Sequence, residues 1–126
     1  MFADSHRIAL SSKNADTARD RFALAVEAYH QLMSMSVPSD ARTSIHDAMV
    51  TLVDHFPAQL AANESLGLRE KARKLKTVFK RLELLHQAHD VLQRAANADP
   101  TNEIIQGAAA EVRDELADAE AAAKRL

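Results

Sequence analysis

Apolar residues recur every three or four positions along almost the whole chain, and no segment alternates apolar with polar over a useful length. A period near 3.6 gathers apolar side chains on one side of a helix, whereas a half-buried strand needs a period of two. The pattern therefore restricts the chain to an all-α fold. Punctuation is scarce, with two glycines and three prolines in 126 residues. Alanine, the best helix former, supplies 25 positions.

The few stops divide the pattern into long helices. Residues 2–10 can form a short extra helix. Asn14 is an N-cap residue type, with Asp16 in the first turn behind it. The helix that follows is predicted over about 15–35, with Ala18, Phe22, Ala25, Val26, Tyr29, Leu32 and Met33 on its apolar stripe. Val37-Pro38-Ser39 breaks the chain, and Ser39 can cap a second helix over about 40–62. Its stripe is Ala41, Ile45, Ala48, Met49, Leu52, Val53 and Phe56. Pro57 removes one backbone donor, and Leu60 keeps the phase beyond it, so a kink is expected there. Asn63-Glu64-Ser65 reads as a restart, with a third helix over about 66–96 carrying Leu68, Ala72, Leu75, Val78, Phe79, Leu82, Leu85, His89 and Leu92. Asp99-Pro100 reads as cap and first helical residue of a last helix, about 100–125. Short connections between amphipathic helices favour antiparallel neighbours. The expected architecture is a single domain, 1–126, folded as an up-down antiparallel four-helix bundle.

Composition removes several chemistries. Without cysteine there is no disulfide scaffold, thiol nucleophile or thiolate metal site. Two glycines cannot furnish a phosphate-cradling loop, and neither nucleotide-binding glycine motif occurs. No serine stands in a nucleophile elbow, and no local motif assembles a triad. The expectation is a protein without enzymatic activity and without a cofactor. No apolar run reaches the ~18 residues of a membrane span, and no basic segment leads into an apolar one at the N-terminus, so a cytoplasmic location with no membrane partner is expected.

The clearest local signal is charge. Seven basic residues and one acid lie between Arg69 and Arg81. On an uninterrupted helix Arg69, Arg73, Lys76 and Lys80 fall at i, i+4, i+7 and i+11 and form one ribbon, flanked by Lys74 and Arg81. Such a ribbon can meet the phosphates of a nucleic acid or an acidic protein surface. The plainer reading is internal. The last helix is acidic, and Glu111, Asp114, Glu115, Asp118 and Glu120 can complement the ribbon in a hairpin turning near Asp99.

Six histidines raise the question of metal. Two Glu-x-x-His pairs occur, Glu27/His30 and Glu83/His86, the spacing that supplies ligands in di-iron bundles. Phase places Glu27 and His30 off the apolar stripe and His86 within it, and one inward pair makes no dinuclear site. A metal-binding bundle is therefore the third reading. His86 and His89, both on the apolar side of the third helix, form a candidate pH-sensitive packing pair.

Ala88, Leu92, Ala95 and Pro100 resemble the second helix of a tetratricopeptide repeat in spacing. The likeness covers one helix and one turn. Residues 80–85 run through without the break the repeat requires, and no 34-residue period recurs. What remains is a small helical interaction or adaptor module, oligomeric or part of a larger assembly. Leu24, Met33 and Leu84, off their main stripes, would widen its apolar faces. The alternative is a nucleic-acid-associated or regulatory protein acting through Arg69–Arg81.

Overall fold

A computed structural model describes all 126 residues as helices joined by short turns, with no strand. The helices are α1 (Phe2–Ser11), α2 (Ala15–Ser34), α3 (Ser39–Lys74), α4 (Val78–Ala98) and α5 (Glu103–Lys124). None is long and apolar enough to cross a membrane.

Local chemistry explains most of the boundaries. At α2 the Asn14 side-chain oxygen accepts the Thr17 N–H at 3.0 Å, satisfying one orphan donor of the first turn. At α5 the cap is Asn102, whose oxygen accepts from Ile104 and Ile105. Asp99 instead closes α4, its N–H donating to the Ala95 carbonyl, and its carboxylate accepts from the Asn102 amide at 3.0 Å. The expected roles of Asp99 and Pro100 thus shift three residues along the chain.

The larger correction concerns the middle of the chain. The stop expected at 63–65 does not occur, and α3 runs through it to Lys74. Asn63 and Ser65 are buried, and the Ser65 hydroxyl donates to the Ala62 carbonyl of its own helix at 2.8 Å. A polar side chain satisfied this way has no need to cap a new helix. The break falls at 75–77, where Thr77 takes the extended N-cap conformation of α4. Lys71, Arg73 and Lys74 occupy the last turn of α3, where cations meet the negative end of the helix dipole. The predicted helices 40–62 and 66–96 are therefore replaced by 39–74 and 78–98. Pro57 lies inside α3.

The chain divides into two compact units, Met1–Leu60 and Ala61–Leu126. In the first, α1, α2 and residues 39–60 of α3 enclose Ala9, Ala18, Ala25, Met49, Leu52 and Phe56. Phe22 stacks on Phe56 with ring centroids 4.3 Å apart. Five alanines and a serine (Ala9, Ala18, Ala25, Ala28, Ala58 and Ser5) are buried there, so small side chains bring these helices close. In the second unit, residues 61–74 of α3 bury Ala61, Ser65, Arg69 and Ala72 on one face. The α4 helix buries Leu85, Ala88 and Leu92, and α5 buries Ile105, Val112 and Leu116. Three stripe residues depart from expectation: Ala41, Val53 and Phe79 are exposed.

Candidate functional site

The basic run of the sequence lies in the second unit, and the helix break divides it. Arg69 and Arg73 belong to the end of α3, Lys76 to the turn, and Lys80 and Arg81 to the start of α4. The continuous ribbon expected on one helix is therefore absent, because its four members do not share a helix.

Arg69 departs most from the expected solvent-facing ribbon. It is only 7% exposed. Its Nη1 donates to Glu111 Oε2 at 2.7 Å, its Nε donates to Glu115 Oε1 at 2.6 Å, and Nη2 reaches the same Glu115 oxygen. Arg73 Nη2 also donates to Glu115 Oε1, at 2.8 Å. Two α3 cations and two α5 anions, spaced at i, i+4 on their helices, thus interlock. Burial pushes Glu115 upward, but the hydrogen bonds and positive charges of Arg69 and Arg73 outweigh it and hold the carboxyl below its usual range. For Arg69, burial disfavours the charge, and the bonds to Glu115 and Glu111 more than reverse this, so its pKa is raised.

With Arg69 and Arg73 engaged, the other cations are distinguished by what they lack. Lys71, Lys74, Lys76 and Lys80 are exposed and form no ion pair. Arg81 is half-buried, and its Nε is inaccessible to solvent with no hydrogen-bond partner. Between Lys76 and Lys80, Phe79 stands 63% exposed. This corner also carries a groove of about 220 Å³ lined by the charged Arg73, Arg81, Glu115 and Asp118 and by the apolar Ala72, Leu85, Ala119 and Ala122. The sequence reading missed the groove. Thr77, an N-cap residue type following a cationic last turn, was the signal that would have placed the helix break and with it the groove.

The histidine candidates separate. His86 is exposed, contrary to its expected place on the buried side, because α4 buries the face of Leu85, Ala88 and Leu92 and His86 lies about 100° round the helix from Leu85. His89 is half-buried, with Nδ1 4.0 Å from Asp90 Oδ1 on the same helix. Neither packs against the other's environment as a buried pair. Glu27, His30 and Glu83 are exposed as well, and no three His, Asp or Glu side chains converge on a point that could hold a metal ion.

In the first unit, the Tyr29 hydroxyl and His46 Nδ1 share a hydrogen bond at 2.9 Å. They border a mostly apolar groove of about 300 Å³ with Met49, Val50 and Val53. Val50 and Val53 are close to half-exposed there. Compared with known protein families, curated proteins and solved structures, the chain matches none.

Proposed function

We propose that this chain is a non-enzymatic helical interaction module that docks an acidic segment of a partner protein on the α3–α4 corner. One observation carries the reading: Lys71, Lys74, Lys76, Lys80 and Arg81 flank the break between α3 and α4 and have no ion-pair partner, while Glu111 and Glu115 of α5 are engaged by Arg69 and Arg73. Exposed cations are usually just solvated. Here an exposed aromatic side chain, Phe79, stands among them. Aromatic anchors rimmed by charge are the usual composition of a protein interface.

A nucleic acid suits this corner less well. Tracking phosphates requires a row of cations, and the helix break removes the row. Asp118 lines the same groove as Arg81, and Asp114 and Glu120 are exposed on α5. These carboxylates repel a polyphosphate in the same unit that attracts a sparse acidic peptide.

Fluorescence anisotropy with a labelled peptide of alternating Glu and Leu, against a short duplex DNA, tests the choice at low salt. The peptide is expected to bind, and changing Lys71, Lys74, Lys76 and Lys80 together to Ala should weaken it roughly tenfold or more. Tighter binding of the duplex, lost in the same variant, would transfer the proposal to nucleic acid. No binding of either overturns it. Self-association is a second element, favoured by the exposed Val50 and Val53. Light scattering of a clean monomer at high concentration would remove it.

A further inference from the structure

The groove in the first unit is built mainly from two rows of one helix. Its α3 lining is His46, Val50 and Asp54 in one row and Met49 and Val53 in the next, and Tyr29 of α2 completes it. Each row steps by four residues, so the groove is the furrow between adjacent i±4 ridges of α3. Helices pack by seating a ridge of one in such a furrow of another. This furrow is open to solvent, with Val50 45% and Val53 49% exposed.

The ridge that matches the furrow is the one that borders it. His46 stands four residues before Val50 and Asp54 four residues after it. The row therefore carries a base and an acid at equal distances from an apolar centre. A two-fold axis at Val50 runs the same row of a second copy antiparallel along the furrow. Val50 then meets Val50, and His46 of each copy meets Asp54 of the other. Both ends are prepared for this. The Tyr29 hydroxyl holds the His46 ring through Nδ1 at 2.9 Å, and as the donor it places the ring N–H on Nε2. Asp54 is exposed and enters no ion pair. An imidazole N–H on a carboxylate is a charge-assisted hydrogen bond. Asp47, which would repel Asp54, stands about 100° round the helix from His46 and does not line the groove.

We propose that this face of α3 is the interface of a two-fold homodimer, with the ridge His46–Val50–Asp54 of each copy seated in the furrow of the other. The inference rests on the self-association proposed above and gives it a surface, a register and an axis. Ridges stepping by four on both helices set a crossing of about −50°. Val50 and Val53 supply the apolar centre that two copies remove from water, and the two His46–Asp54 bonds fix the antiparallel register. A parallel pairing would set His46 against His46 and Asp54 against Asp54, and like charges facing each other disfavour it.

Sedimentation equilibrium of the full chain, from micromolar to millimolar concentration, tests the dimer. The natural chain is expected to approach twice its monomer mass. Val50→Glu brings two carboxylates together on the axis and should weaken association roughly tenfold or more. His46→Asp leaves only acids at the two ends of the row, and Asp54→Lys leaves only bases. Each alone should weaken association likewise, with circular dichroism showing that the variants fold. An equimolar mixture of these two variants should associate again. In the mixed dimer the aspartate introduced at 46 faces the lysine introduced at 54, and the natural Asp54 faces the natural His46. A folding defect in either variant would not produce that recovery. Association indifferent to all three substitutions overturns this surface and leaves self-association standing. Loss in the single variants without recovery in the mixture overturns the antiparallel register and the proposal with it. A monomer at every concentration overturns self-association as well, and the acidic peptide still decides the docking function separately.

Discussion

Arg69 on α3 and Glu115 on α5, 46 residues apart in the sequence, form an ion pair in which the arginine is buried and directs Nε and Nη2 at one carboxylate oxygen. The pair joins two elements of the second unit and converts part of a basic run into interior structure. A charge buried to this degree depends on its partner, since removing one member strands the other away from water.

Glu115→Ala should therefore destabilise the protein by about 3 kcal/mol, near the lower end for breaking a buried pair because the Glu115 side chain keeps 24% of its exposure. Glu111→Ala should cost less than about 1 kcal/mol, since its side chain is 66% exposed. Urea unfolding followed by circular dichroism measures both. Equal losses would mean that Glu111 and Glu115 support Arg69 alike.

The same pair sets a pH dependence with a defined sign. The Glu115 carboxyl is held below its ordinary 4.5 in the folded state, burial opposing the shift and Arg69 and Arg73 producing it. Its contribution is complete above pH 4.5 and is lost as pH falls through the depressed folded value. The stability gap between the natural chain and Glu115→Gln should be constant at neutral pH and shrink below pH 4.5. Unfolding midpoints across that range decide it, and a gap that stays constant on acidification would assign the cost to packing.

Capping makes a contrast between two helix starts. Asn102 accepts two backbone N–H groups at the head of α5, whereas Thr77 at the head of α4 makes no side-chain cap bond. Asn102→Ala is expected to cost about 1 kcal/mol or somewhat more. Thr77→Ala should stay within about 0.5 kcal/mol, as for surface changes that remove no specific bond. Thermal unfolding of the two variants distinguishes them.

Ser5 provides the opposite case in the first unit. Its side chain is fully buried and its hydroxyl has no hydrogen-bond partner. Ser5→Ala removes a desolvated polar group and leaves a side chain of nearly the same size, so it should raise stability by about 1 kcal/mol. A decrease in the urea midpoint would indicate that the hydroxyl finds a partner in solution.

Much of the helical architecture was legible because its causes are local. The period of the apolar residues decides between helix and strand within any dozen residues, and Phe22, Leu52 and Leu92 lie on predicted stripes and in the interior or against it. Asn14 caps α2 for a reason confined to four residues. The sequence by itself thus determined the all-α class, the start of α2 at its Asn14 cap, and most of the buried faces.

What only the tertiary structure decided are the matters that depend on distant partners. Asn63-Glu64-Ser65 carries stop chemistry, yet packing buries Asn63 and Ser65 and the helix continues through them. Moving the break to 75–77 divided the basic ribbon, and the face of α4 that packs, through Leu85, Ala88 and Leu92, leaves His86 and Phe79 exposed. Arg69 reads in sequence as one more surface cation. It is interior because Glu111 and Glu115, more than forty residues away, meet it there. Periodicity and capping operate through neighbours along the chain, whereas the pairing of charges and the opening of a groove depend on which helix faces packing brings together.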